Sequence, residues 1–128
     1  MSNPLDRADL RQRVQACIDA ELVHQRGVLA EIGSDVDDIV DAIGSLLTGG
    51  KRLRAAFLYW GHRAAGRPDS DAAVRLATSM EFFQGAALLH DDVMDDSDTR
   101  RGMPSAHRAL AAHHGARGWV GDADRFGM

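Results

Sequence analysis

Apolar residues recur at helical spacing along most of this chain, and nowhere do they alternate over the length of a strand. Leu10, Val14, Cys17, Ile18, Leu22, Leu29 and Ile32 form a first stripe. Asn3-Pro4 supplies a cap and a first-turn proline for it, and Gly33-Ser34 ends it. A second stripe starts near Ser34 and carries Val36, Ile39, Val40, Ile43, Leu46 and Leu47, with Asp35, Asp37, Asp38 and Asp41 outside it. Gly49-Gly50 stops that helix. A third helix is expected from near Lys51 through Leu53, Phe57, Leu58 and Trp60 to Gly66. Arg67-Pro68-Asp69-Ser70 reads as a turn, and Ser70 or Asp71 caps a long fourth helix over about 71–96. Its apolar residues include Val74, Leu76, Met80, Phe83, Ala87, Leu88 and Val93. A short helix near Ser105 to His113 follows, and Gly115, Gly118, Gly121 and Gly127 then punctuate a loop-like end. With no linker and no repeat, residues 1–128 read as one all-α unit of antiparallel helices.

Composition agrees with that reading. There are 20 alanines in 128 residues and only 5% aromatics, which means thin helical cores and argues against a β-sandwich. A net charge of -4 offers nucleic acid no attraction. No apolar run approaches the roughly 20 residues of a membrane span. The single cysteine, Cys17, excludes an internal disulfide and fits a reducing compartment. The N-terminus has no signal-peptide pattern, so a soluble, cytoplasmic protein is expected.

Asp91, Asp92, Asp95, Asp96 and Asp98 fall within eight residues at the end of the fourth helix. At about 100° per residue, Asp91 and Asp95 share a face one turn apart, and Asp98 stays on it if the helix continues. Asp92 and Asp96 point about 100–140° away. Like charges at this spacing oppose each other and the helix dipole. Two readings fit: a solvated acidic helix end, or ligands for a hard cation such as magnesium. A calcium loop read from Asp92 fails, lacking Gly at its sixth position and Glu at its twelfth.

Two basic segments accompany the acids. Arg100-Arg101-Gly102 follows directly, as local charge balance or as a pair of guanidiniums for diphosphate. Gly49-Gly50-Lys51-Arg52-Leu53-Arg54 puts two glycines and three cations at a helix start, where positive charge is unfavourable unless an anion binds. Lys51 is the only lysine beside 14 arginines.

Gly49-Gly50-Lys51-Arg52-Leu53-Arg54, Leu88-Leu89-His90-Asp91-Asp92-Val93-Met94-Asp95 and Arg100-Arg101-Gly102-Met103-Pro104 together resemble the trans-prenyl diphosphate synthases, in order and spacing. The resemblance runs from about residue 10 to the end. It implies the N-terminal part of an isoprenoid-synthase-type antiparallel helical bundle. It implies a prenyltransferase that condenses an allylic prenyl diphosphate with isopentenyl diphosphate, with Mg2+ as cofactor and a homodimer at full length. Position by position, it implies that Asp91 and Asp95 bind magnesium and the allylic diphosphate, which Arg100 also contacts. It implies that Lys51, Arg54, Arg101 and Gln84 hold isopentenyl diphosphate. Large aromatics at the positions of Ala86 and Ala87 shorten the product in the family. Here both are alanine, and the next large residue down the helix on a compatible side is Phe83, so a product of twenty carbons or longer is implied.

The family also carries a second aspartate-rich motif on a later helix, and the only later acids here, Asp122 and Asp124, do not form it. The chain therefore reads as an N-terminal third, a partial polyprenyl synthetase domain over 1–128, expected to be inactive or poorly folded alone. One alternative is a non-catalytic truncated paralogue that binds a full-length synthase. The other is a His-Asp metal phosphohydrolase, using His90-Asp91 with His62 upstream. His113-His114 has no evident metal partner in the sequence.

Overall fold

The computed structural model describes the backbone of residues 4–128, with side chains from Arg7 onward except Asp35. The expected cap at Asn3 and the off-stripe placement of the Asp35 side chain lie outside the described residues. Four α-helices come first: α1 (Leu10–Leu29), α2 (Asp37–Leu47), α3 (Leu53–Ala64) and α4 (Asp71–Met94). A two-residue hairpin follows, β1 (Thr99–Arg100) and β2 (Met103–Pro104), and then α5 (Ala106–Ala116) and α6 (Ala123–Gly127). The all-α expectation holds, and the short helix expected from Ser105 is α5.

Four local expectations need correction. The first helix starts at Leu10, because Ala8 (φ 62°) and Asp9 (φ 52°) break a preceding 3-10 turn over Pro4–Asp9. Its last turn loosens past Leu29, before Gly33. The fourth helix ends at Met94, so Asp98 does not continue its face. The glycine-rich end holds the short helix α6, whose N-terminus Asp122 caps by accepting from the backbone N–H of Asp124 and Arg125 at 2.9 and 3.1 Å. Ser70 does cap α4, accepting from the Ala73 N–H at 3.1 Å.

The core is as thin as the alanine content predicts. Leu10, Val14 and Ile18 of α1 meet Leu47 of α2, Ala55, Ala56 and Tyr59 of α3, and Ala73, Val74 and Ala77 of α4. Small residues let the helices approach closely: a Cβ on Gly85 of α4 would lie 3.1 Å from Leu47 Cδ2. Polar clasps tie the outer turns. Arg13 of α1 forks onto Asp69 before α4 at 3.1 Å, and Arg26 holds Asp37 and Asp41 of α2.

One clasp is buried. Between α2 and α3 the backbone takes positive φ at Gly49 (71°), Gly50 (94°) and Arg52 (52°). The two glycines adopt this without penalty; Arg52 does so against its Cβ. Its guanidinium turns inward, donating to the Leu47 carbonyl at 2.5 Å, to Gln15, and to Glu81 of α4 at 3.4 Å. Glu81 also accepts from the Ala55 N–H at 3.2 Å, satisfying an open donor in the first turn of α3. One arginine thus closes the end of α2 and fixes the start of α3 against α4.

Breaking one side of a buried ion pair strands the other charge and costs about 3–5 kcal/mol. Arg52→Ala should therefore lower unfolding free energy by about that amount in urea denaturation. The exposed neighbour variant Lys51→Ala should stay within about 0.5 kcal/mol of wild type. Equal effects would mean that the inward guanidinium does not hold the loop.

Candidate functional site

Three separate segments of the sequence converge on one cavity of about 340 Å³. The loop after α2 contributes Gly49, Gly50 and Lys51, and the first turn of α3 contributes Arg54. The middle of α4 contributes Gln84, Gly85 and Leu88. The hairpin contributes Arg100 and Arg101. A Cβ on Gly49 or Gly50 would meet nothing within 4 Å, so these glycines serve the backbone turn and leave open space beside Lys51.

The hairpin is built to present its arginines. Arg101 (φ 53°) and Gly102 (φ 79°) are the two central residues of the β1–β2 turn. Positive φ at both matches the tight primed turn whose twist suits paired strands. Such turns usually carry Asn-Gly, so Arg-Gly gave no hairpin signal in the sequence. Arg101 is left exposed at the tip.

Charge in the cavity is one-sided. Its acidic lining residue, Glu81, is committed to Arg52 and the Ala55 N–H. Among the described residues no carboxylate lies within ion-pair distance of Lys51, Arg54 or Arg101. Cations gathered around a concave space without counter-charges make a receptor for a polyanion.

The acidic stretch divides. Asp92 is buried, its side chain 3% exposed, and accepts from Arg100 Nε at 2.7 Å and Nη2 at 2.6 Å. Those hydrogen bonds, reinforced by the charge of Arg100, hold the Asp92 carboxyl below the usual carboxylate range against the opposing effect of burial. Asp91 is exposed and lies 3.7 Å from Arg100 Nη2. Asp95 is exposed at the C-cap of α4. Asp96 (φ 52°) and Asp98 turn away, toward Arg108 of α5.

The residues singled out in the sequence thus fall in two places. Lys51, Arg54, Gln84, Arg100 and Arg101 line one cavity. Asp91 and Asp95 do not line it; they sit at the end of α4, where Asp91 lies 3.7 Å from Arg100. Two exposed carboxylates a turn apart suit a magnesium ion that keeps much of its water, and no group of three or more metal ligands forms among the described residues. Phe83, Ala86 and Ala87 lie on the exposed side of α4. A larger groove, about 1010 Å³ between α1, α2 and α4, contains none of the motif residues.

Sequence reasoning missed Asp92 and Arg52, both inward-facing and both functional only through what they hold. It also offered a His62–His90 metal pair, which the structure overturns. His62 contacts the Pro68 carbonyl at 3.3 Å, near the start of α4, while His90 lies roughly 28 Å along that helix. His113 lies 2.9 Å from Asp38, and His114 packs against Trp119 and Phe126.

The Asp92–Arg100 pair makes stability depend on pH. Asp92 is depressed in the folded state, so its contribution is present above the unfolded value near 3.9 and is lost as pH falls through the folded value. Asp92→Asn should cost about 3 kcal/mol at pH 7, the low end for a broken buried pair, because Arg100 keeps partial access to water. In urea titrations the variant should lose less stability than wild type below about pH 4; parallel curves would contradict the pairing.

Comparison with known proteins bears on the fold and the family. Octaprenyl diphosphate synthase of Escherichia coli is 39% identical over 85 residues, 65% of this chain and 26% of that protein. Component 2 of heptaprenyl diphosphate synthase from Geobacillus stearothermophilus is 37% identical over 90 residues, 70% of this chain and 26% of its own length. Geranylgeranyl pyrophosphate synthase from Corynebacterium glutamicum, in a crystal structure with isoprenyl diphosphate and magnesium, matches with a TM-score of 0.72 and 40% identity. That match covers 92% of this chain and 34% of the other. The chain therefore spans between about a quarter and a third of these proteins. The sequence profile of polyprenyl synthetases matches residues 36–118, from the start of α2 to the end of α5 and across all three motifs. By that match, this chain belongs to the polyprenyl synthetase family.

Proposed function

We propose that this chain is the N-terminal, diphosphate-binding portion of a prenyltransferase that joins an allylic prenyl diphosphate to isopentenyl diphosphate in isoprenoid biosynthesis. The observation that carries the reading is the convergence of Lys51, Arg54, Gln84, Arg100 and Arg101 on one cavity with Asp91 beside it. The complete enzyme is read as a cytoplasmic homodimer. No helix among the described residues is long and apolar enough to cross a membrane.

In this reading Lys51, Arg54 and Arg101 hold the diphosphate of isopentenyl diphosphate, and Gln84 adds a neutral hydrogen-bonding group half-buried in the wall. Asp91 and Asp95 are the magnesium ligands of this chain. Magnesium, when bound, offsets negative charge on the allylic diphosphate. Arg100, fixed by Asp92, holds its guanidinium at the boundary between the two diphosphates and stabilises the charge that builds as one departs. The allylic C–O bond breaks and the electron pair leaves with the diphosphate. The alkene of isopentenyl diphosphate then attacks the allylic carbon, and a proton is lost to restore a double bond. None of these steps needs a nucleophilic side chain.

Ala86, Ala87 and Phe83 are read as lining the path of the growing tail, one and two turns below Asp91. Each turn adds about 5.4 Å, roughly one isoprene unit. Two alanines leave the upper turns open, which supports a product of twenty carbons or longer.

In the complete synthase, Asp91→Ala and Asp95→Ala should each lower kcat by about 100-fold or more through lost leaving-group stabilisation. Asp96→Ala should change it by less than about tenfold. Comparable losses at Asp95 and Asp96 would remove the assignment. Ala87→Phe should shorten the product by at least one isoprene unit on chromatographic analysis. An unchanged chain length would show that the tail does not pass there.

A further inference from the structure

The cavity lined by Lys51, Arg54 and Arg101 has a carboxylate in its wall. Among the described residues that line it, Glu81 alone is acidic. The Glu81 side chain is only 11% exposed, so water and salt screen it little. A bare carboxylate at that place would repel a polyanion entering the cavity. Yet Glu81 has a task that keeps it there: one of its oxygens accepts from the Ala55 N–H at 3.2 Å, at the N-terminus of α3, where negative charge is favourable.

Arg52 resolves the conflict. Its side chain is 5% exposed, and Nη1 lies 3.4 Å from the other Glu81 oxygen. Its remaining bonds go to Gln15 and the Leu47 carbonyl, away from any ligand in the cavity. Lys51 and Arg54, on either side of it in sequence, are exposed. Arg52 alone of the three turns inward, and it does so from a left-handed backbone (φ 52°) that opposes its own Cβ. A residue serving only as one more cation for the cavity would not need that conformation.

We propose that Arg52 is a positioning residue for diphosphate binding that acts through Glu81: it neutralises the wall carboxylate, so that an anion meets the charge of Lys51, Arg54 and Arg101 undiminished. That the anion is a diphosphate rests on the function proposed above; the neutralisation of Glu81 rests on the ion pair itself.

The test is calorimetric titration of inorganic diphosphate into the 128-residue chain without divalent cations, with circular dichroism to verify helix content. Arg52→Gln uncovers the charge of Glu81 and should weaken binding about tenfold. Glu81→Gln leaves Arg52 as an extra cation beside the cavity and should tighten binding about threefold. The two substitutions together keep hydrogen-bonding groups at both positions and strand no buried charge. That paired variant should keep wild-type helix content and bind within about threefold of wild type. A role confined to holding the loop predicts weaker binding in all three variants. An Arg52 that touches the anion predicts a loss in the paired variant as large as in Arg52→Gln. Either pattern overturns the proposal. Where an unpaired charge unfolds a single variant, the paired variant decides alone, and its own unfolding would show the pair serving the fold and overturn the proposal equally. The functional reading fails on a different result: a diphosphate affinity that Lys51→Ala with Arg54→Ala leaves unchanged. A wild-type chain that binds no diphosphate overturns both.

Discussion

Everything at the cavity depends on two buried acids along one face of α4. Glu81 and Asp92 are eleven residues apart, which brings them within about 20° of each other around the helix and about 16 Å apart along it. Each captures an arginine from a different neighbouring segment. Glu81 takes Arg52 from the loop that starts α3, and Asp92 takes Arg100 from the hairpin that follows α4. Gly85 and Leu88 lie between them on the same stripe and form the floor of the cavity. Two irregular segments, each carrying residues with positive φ, are thereby pinned at fixed height on one rigid helix.

Buried ion pairs are an expensive way to hold loops, because both partners surrender water. What they provide here is placement. Arg52 and Arg100 satisfy their acids inside, while Lys51, Arg54 and Arg101, each within two residues of one of them, are carried to the cavity with no counter-charge among the described residues. Three clustered cations repel one another, and the cavity would spread if its walls were loops alone. Anchoring through residues 52 and 100 transfers that strain into the body of the protein, where α2, α3 and α4 pack.

Much of this was legible in the sequence. Stripe spacing gave every long helix, and Ser70 was readable as a cap because a serine followed a turn and preceded an apolar run. The three motifs were readable because their residue types have few other uses at that spacing. The inward arginine and the inward aspartate were not. In Gly-Gly-Lys-Arg-Leu-Arg and in Asp-Asp, adjacent residues carry the same charge, and local sequence does not say which one faces the core. A signal did exist: Glu81 and Asp92 continue the buried stripe of Val74, Ala77 and Thr78, where a charge demands a partner. The hairpin was hidden because Arg101 occupies a left-handed position that Asn usually fills.

That stripe also explains why a pair of adjacent aspartates is useful. One residue is about 100° of helix, so Asp92 sits on the buried face while Asp91 sits on the exposed one, above Ala87 and Phe83. Arg100 reaches across that boundary, at 2.6 Å from one carboxylate and 3.7 Å from the other. The inner acid fixes where the guanidinium stands, and the outer acid stays in water beside it. A single aspartate could not do both, since satisfying Arg100 in the interior would remove its oxygens from solvent. α4 thus divides its two faces: the buried face sets the positions of the cations, and the exposed face presents a carboxylate above two alanines, Ala86 and Ala87.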